Sequence, residues 1–347
     1  MRASRFIRWV ESRLLLFETP SAPVDTSTKV EEPDLTVSDR DGDALIAEMW
    51  KSPESLAREL ENFQDIASYI TPGPGDVPSL AGFDICGASL PLNGLVGGDH
   101  TIYVDFKKRY DLEARIAHAT EQDQLDVVEN LIKCQRMVGI ALVDVSGHRV
   151  TDALLAAMFH QAFLLGAIYE LDVFGWITER LFENLNTRFY NSSGAHKFLT
   201  MLYAEISEDA TFRFLSAAHP APLVFSNRND QFMEVGEEHC TTSPPVGTMP
   251  SKHIIDQRAS DSVLGFKGGY EWNEWKLMGR GDILLLSTDG LLEHSDDEAD
   301  YVPARLEEVV RAAKHESASN IVQTITKDLL TFATPKDDIS VIAIKRL

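Results

Sequence analysis

The stretch Gly281-Asp-Ile-Leu-Leu-Leu-Ser-Thr-Asp289-Gly290 decides how the rest of the chain is read. Ile283 to Leu286 is an unbroken apolar run bounded by Gly and Asp, the pattern of a short strand buried on both faces. It ends on a carboxylate, Asp289. Gly290 behind it lets backbone or ligand approach closely. A carboxylate held rigidly at a strand end suits a hard cation, so the chain is searched for others placed the same way.

Three more share that context. Asp99 follows Gly97-Gly98 ahead of an alternating run, His100 to Phe106. Asp144 closes a strong strand pattern, Met137 to Val145, before Ser146-Gly147. Asp337 opens the last strand pattern, Ile339 to Ile344. Carboxylates without cysteine or clustered histidine suit Mg²⁺ or Mn²⁺, which prefer oxygen ligands. Two such ions about 4 Å apart clamp a phosphoryl group for in-line attack. The competing reading is that an Asp before Gly is an ordinary turn residue.

Between these points the chain reads as α+β. Phe83–Leu90, Phe198–Ile206, Thr211–Ala217 and Pro222–Ser226 are strand candidates, with a hairpin turn over Ser207–Ala210. Residues 111–136 read as helix with Leu112, Ile116, Leu125, Val128, Leu131 and Ile132 on its apolar face. Thr151 or Asp152 caps a helix to about Ile168. Asp172 caps the next, ending near Tyr190. Residues 303–333 read as two helices. Strand runs with helices arriving in pairs predict antiparallel sheet with helices packed outside.

Three parts are expected: a basic N-terminal segment and flexible linker over 1–40, a helical lead-in over 41–70, and one large domain over 71–347. Met1 to Phe17 carries four arginines and no secretory-signal pattern. The lead-in stripe, from Leu45 to Ile70, describes a helix able to dimerise or dock a regulator.

Composition excludes some partners. The formal charge is −22 over 347 residues. Such acidity argues against nucleic acid and against an anionic membrane surface. No apolar run is expected to reach the roughly 18 residues of a spanning helix. Cys86, Cys134 and Cys240 have no metal-type spacing and cannot all pair within the chain, which predicts a reducing compartment and a cytoplasmic protein.

Several motifs in order resemble the metal-dependent (PPM) protein serine/threonine phosphatases. They are Gly97-Gly98-Asp99, Asp144-Val-Ser-Gly-His148, Leu215-Ser-Ala-Ala-His219-Pro-Ala-Pro222, Pro244-Pro-Val-Gly247, Ser287-Thr-Asp289-Gly290 and Lys336-Asp337-Asp338-Ile-Ser340. The branch they are most similar to is the bacterial SpoIIE/RsbU-like regulatory phosphatases. The resemblance implies an α/β/β/α sandwich of two antiparallel sheets flanked by helices, with two Mn²⁺ or Mg²⁺ ions at one end. It implies that Asp144 bridges the ions, with the Val145 carbonyl as a further ligand. Asp289 and Asp337 would serve one ion and Asp99 the second. It implies hydrolysis of phosphoserine or phosphothreonine by metal-activated water, on a phosphorylated regulatory protein such as an anti-sigma-factor antagonist. The metal charges would draw an anionic substrate despite the acidic chain.

Other residues depart from the pattern. His148 is a candidate general acid for the leaving serine; the alternative is a turn histidine. Asp105 is not carried over as a ligand. Residues 107–136 and 248–280 read as insertions. His219 reads as structural, and the acidic run from Asp296 to Asp300 as a solvated loop. Two rival functions stand beside the phosphatase: a phosphoprotein-binding scaffold on the same fold, and a two-metal nuclease.

Overall fold

The computed structural model describes residues 53–73, 75–92, 96–147, 150–192, 197–236, 239–252, 264–276, 279–296 and 299–347. The expected linker, the basic N-terminus, the first half of the lead-in helix and His148 lie outside the described residues.

Ten strands among these residues form two antiparallel five-stranded sheets. One runs β1 (Phe83–Leu90), β10 (Ile339–Arg346), β9 (Ile283–Ser287), β6 (Leu223–Ser226), β7 (Gln231–Met233). The other runs β2 (His100–Asp105), β3 (Met137–Val145), β4 (Leu199–Ser207), β5 (Phe212–Ala217), β8 (Asn273–Trp275). Helices cover both outer faces, so the expected α/β/β/α sandwich is present.

Strand parity builds the layers. In β9, Leu284 and Leu286 enter the core between the sheets. Ile283 and Leu285 pack outward beneath helices α8 (Glu307–Ala313) and α9 (Ala318–Phe332). In β3, Val138, Ile140 and Leu142 face the intersheet core, while Ala141, Val143 and Val145 face the helices on the other side. Burying each such side chain contributes about 1.5–3 kcal/mol. This is why both strands read as continuous apolar runs instead of alternating ones.

The remaining helices are α1 (Pro53–Ser68), α2 (Phe106–Arg109), α3 (Leu112–Glu121), α4 (Leu125–Cys134), α5 (Val150–Phe174), α6 (Glu179–Ser192) and α7 (Asp289–Leu292). Several expectations need correction. The helix over 111–136 is two helices, broken at Asp123, whose φ is +57°. Its apolar face is partly misread: Leu112 and Leu131 are buried as expected, but so are Val127 and Cys134, whereas Leu125 is 68% exposed and Ile132 48%. Asp172 caps nothing. It lies inside α5, paired with Arg115 of α3. The helix runs on to Phe174 and stops at Gly175, whose φ is +74°. A Cβ at Gly175 would meet the Val127 carbonyl oxygen at 2.4 Å. Short strands β7 and β8 were not anticipated, and a π-helical turn over Val302–Leu306 precedes α8.

The expectation that no stretch is long and apolar enough to span a membrane also fails. The Asp152–Phe174 part of α5 passes that test by length and composition. One face of α5 packs into the core through Phe159, Phe163, Ala167 and Leu171, while Leu154, Met158, Leu165, Tyr169 and Val173 are exposed.

The hairpin α3–α4 packs at the β3 end far from Asp144. Asn130 Nδ2 donates to the Phe174 carbonyl at 2.9 Å, and the Cys134 thiol to that of Gly175 at 3.3 Å. Cys86, Cys134 and Cys240 are all free thiols.

Candidate active site

Antiparallel pairing gathers the carboxylates at one end of the sandwich. His100 pairs with Val143, so the start of β2 lies beside the end of β3, and Asp99 beside Asp144. Val341 pairs with Ser287, so the start of β10 lies beside the end of β9. The two pairs belong to different sheets, and hydrogen bonds cross between them. Thr288 Oγ1 donates to Asp99 Oδ2 at 2.7 Å and accepts the Ser340 N–H at 2.9 Å. The Gly98 N–H donates to Asp338 Oδ2 at 2.6 Å, and that of Leu92 to Asp338 Oδ1 at 2.5 Å.

The glycines are explained by these approaches. A Cβ on Gly97 would stand 2.3 Å from Asp338 Oδ2. One on Gly98 would stand 2.7 Å from the Gly147 carbonyl oxygen and 3.0 Å from that of Val145, so both carbonyls lie against Gly98. One on Gly290 would stand 2.0 Å from the Asp338 carbonyl oxygen. The close approach expected at Gly290 is thus to backbone.

Asp99, Asp144 and Asp289 face one another in a poorly solvated space. Burial, then the charges of Asp289, Asp99, Asp337 and Asp338, hold the Asp144 carboxyl well above the usual range. Burial raises Asp99 well above its ordinary value, and the Thr288 and Ser340 hydrogen bonds only partly oppose it. Burial, then Asp337 and Glu293, push Asp289 up to about 6. Among the described residues no lysine or arginine pairs with any of these three. Lys197, the nearby cation, is bound to Asp152 at 2.6 Å and to the Ser146 carbonyl at 2.7 Å.

Asp337 differs from expectation in one respect. It is solvent-exposed, two residues ahead of β10, and its Oδ1 accepts the Asp338 N–H at 2.8 Å. Asp338, the neighbour that sequence reading passed over, is the buried one at 3% exposure. The Gly97-Gly98 pair was the available signal, because side-chain-free backbone there leaves room for a carboxylate. Thr288, fully buried, was also missed.

Other expected residues fall outside this cluster. Asp105 caps α2, accepting the Lys108 N–H at 3.2 Å. His219 is buried, with Nδ1 2.9 Å from Thr200 Oγ1, and burial depresses its pKa to about 3, so it is a neutral packing residue. Thr200 pairs across the ladder with Asp144, so His219 steadies the strand beside that carboxylate.

The donor set suits Mg²⁺ or Mn²⁺: oxygen only, anionic and without a resident counter-charge. As the side chains lie, no three His, Cys, Asp or Glu groups among the described residues converge on one ion position. Burial, which is the main cause of the raised Asp99, Asp144 and Asp289, and the neighbouring negative charges are what a divalent cation would offset.

A five-plus-five antiparallel sandwich with carboxylates clustered at one end is the architecture of the PPM-type phosphatases. The chain belongs to the SpoIIE family: the family model described as Stage II sporulation protein E matches residues 135–347, more than half of it. Asp99 lies ahead of that span, and its place rests on the Thr288 hydrogen bond.

Solved structures with this fold include the SiaA-PP2C domain of Pseudomonas aeruginosa, at 15% identity and TM-score 0.58, covering 84% of this chain and 97% of that one. The RsbU and RsbW domains of a Mycobacterium tuberculosis protein match at 17% identity and TM-score 0.55, over 78% of this chain. The phosphatase domain of SpoIIE from Bacillus subtilis, with a fragment of its regulatory domain, matches at 15% and 0.52, over 77%. This chain spans 61% of the Mycobacterium tuberculosis chain and 64% of the Bacillus subtilis one. No curated protein sequence matches it.

Proposed function

We propose that this chain is a Mn²⁺- or Mg²⁺-dependent protein serine/threonine phosphatase acting on a phosphorylated regulatory protein. The observation that carries the proposal is the group of carboxylates Asp99, Asp144 and Asp289, drawn from both sheets, the first buried and the other two half-buried, with no lysine or arginine among the described residues paired to them. Their burial is costly unless a cation balances them. Membership of the SpoIIE family supports the same reading.

Asp144 and the Val145 carbonyl, with Asp289 and Asp337, are assigned as the residues that would hold one ion, and Asp99 with Asp144 a second. Such ions supply polarisation of a phosphoryl oxygen and a water acidic enough to attack at neutral pH. The chain's own residues do the positioning. Thr288 fixes the Asp99 carboxylate. Asp338 clamps the Gly98 amide and so sets the loop carrying Asp99. His148 is the assigned proton donor to the departing serine oxygen. A phosphorylated anti-sigma-factor antagonist or similar partner-switching protein is the first candidate substrate, and membership of the SpoIIE family supports that choice.

The test is phosphate release from a phosphoserine protein and peptide panel with Mn²⁺, Mg²⁺ or EDTA, beside Asp289→Asn. Metal-dependent release lost in the variant supports the proposal. Release that persists in EDTA or in Asp289→Asn contradicts it.

A further inference from the structure

The turn after Asp144 leaves the β3–β4 ladder irregularly. Asp144 pairs with Thr200 and Val145 with Leu199, so a continued ladder would exchange both backbone bonds between Ser146 and Phe198. Only one is made: the Ser146 N–H donates to the Phe198 carbonyl at 2.9 Å. The returning Phe198 N–H goes to the Ser146 hydroxyl instead, at 3.2 Å. The Ser146 carbonyl is thereby released from the ladder, and it accepts from Lys197 Nζ at 2.7 Å.

Lys197 is itself anchored. Its ammonium pairs with Asp152 Oδ1 at 2.6 Å, and the Asp152 side chain is 1% exposed. The ion pair presses on Gly147, where a Cβ would stand 2.7 Å from Asp152 Oδ2 and 2.9 Å from Lys197 Nζ. Gly147 also has a φ of +109°, a conformation that favours glycine.

These contacts aim the preceding peptide as well. In a trans peptide the N–H and C=O point opposite ways. With the Ser146 N–H on Phe198, the Val145 carbonyl faces the other side, against Gly98, whose own carbonyl accepts the Val145 N–H at 3.3 Å.

We propose that Lys197 is a positioning residue of the metal site: anchored on Asp152, it holds the Ser146 carbonyl out of the ladder and so fixes the Val145 carbonyl and the Asp144 carboxylate in the arrangement that takes up Mn²⁺ or Mg²⁺. The ammonium acts through the turn. This role rests on the phosphatase reading, because it needs ions held at Asp144 and Val145.

The experiment titrates the full chain with Mn²⁺ by calorimetry at neutral pH, beside the thermal midpoint of each variant. Lys197→Met is combined with Asp152→Asn, so that no buried carboxylate is stranded. This double variant is expected to fold and to bind Mn²⁺ about tenfold more weakly or worse, the loss that follows when a group orienting a ligand is removed. Lys197→Arg, with donors for both the carboxylate and the carbonyl, restores most of the affinity. Ser146→Ala removes the hydroxyl acceptor, so the Phe198 N–H competes with Lys197 for the carbonyl at position 146, and Mn²⁺ binding weakens there too. In turnover, the loss appears in kcat at limiting Mn²⁺, leaves the phosphopeptide KM unchanged and shrinks as Mn²⁺ is raised. Wild-type Mn²⁺ affinity in Ser146→Ala, whether or not the double variant folds, overturns the role of Lys197 and leaves the phosphatase reading standing. Wild-type affinity in the folded double variant does the same. Failure of the wild-type chain to take up Mn²⁺ overturns both.

Discussion

Asp338 Oδ2 accepts the backbone N–H of Gly98 at 2.6 Å, joining the two sheets at the end where the carboxylates meet. This contact exists only because Gly97 has no Cβ, which would stand 2.3 Å from the same oxygen. Gly97→Ala is therefore expected to displace the Asp338 carboxylate and the loop carrying Asp99. Metal-dependent phosphate release should fall by at least about a hundredfold, since small misplacements of catalytic groups have effects of that size. Circular dichroism should show the sheets intact. Wild-type turnover in Gly97→Ala would show that the clamp is dispensable.

Gly290 meets backbone instead of a side chain. A Cβ there would lie 2.0 Å from the Asp338 carbonyl oxygen. Gly290→Ala should cost about 3 kcal/mol in urea denaturation, the range for forced overpacking. Gly268→Ala, with nothing within 4 Å of its Cβ position, should change stability by less than about 0.5 kcal/mol.

Thr288 both donates to Asp99 and accepts from Ser340. Thr288→Val leaves the Ser340 amide unpaired in a buried site and removes a bond that favours charged Asp99. A loss of about 1–3 kcal/mol in stability is expected. Weaker Mn²⁺ binding should accompany it, measured by calorimetry, because Asp99 then keeps its proton to higher pH.

The carboxylates also predict a pH dependence. Asp289 has a folded pKa of about 6 against an ordinary value of 3.8. Between those values the folded state holds a proton that the unfolded state has released. The stability linked to that proton is present at low pH and is lost as pH rises through 6. Asp99 and Asp144 shift in the same direction and extend the loss to higher pH. In EDTA the thermal midpoint should therefore fall as pH rises from about 4 to 7, and Asp289→Asn should flatten the fall. Saturating Mn²⁺ should oppose it, since cation and proton compete for the same oxygens.

At the opposite end of the sandwich, Arg213 is stacked between Trp176 and Trp272, 4.4 and 4.3 Å from their ring centres. Its Nε donates to Glu205 Oε2 at 2.5 Å, and Glu205 is 2% exposed. Arg213→Met strands a buried carboxylate and should cost about 3–5 kcal/mol in stability. The kcat of the variant that remains folded should match wild type. A kcat effect without a stability effect would contradict the bracing role.

How far the sequence carried this reading depended on the kind of signal. Strands β3 and β9 were legible because burial on both faces leaves an unbroken apolar run. Asp99, Asp144 and Asp289 were legible because each sits at a strand boundary, Asp99 and Asp289 beside glycine and Asp144 three residues before Gly147. The end of α5 was not. Asp172 resembles a cap locally, and only the partner Arg115, 57 residues away, shows that it pairs across helices instead. The choice between Asp337 and Asp338 was equally hidden. Adjacent residues entering a strand point opposite ways, and the direction is fixed by the Leu92 amide just beyond β1 of the same sheet and the Gly98 amide ahead of β2 of the other. The face of α4 was misread because Leu125 and Ile132 fit the helical period yet face solvent, while Cys134 and Val127 take the core.

The most direct test is a calorimetric titration of the metal-free chain with Mn²⁺ at neutral pH, beside Asp144→Asn. The prediction is saturable uptake with proton release in wild type, lost or weakened by at least about tenfold in the variant, since the residue assigned to both ions is gone. Uptake of Mn²⁺ by Asp144→Asn with wild-type affinity and stoichiometry would contradict a metal site at this end of the sandwich.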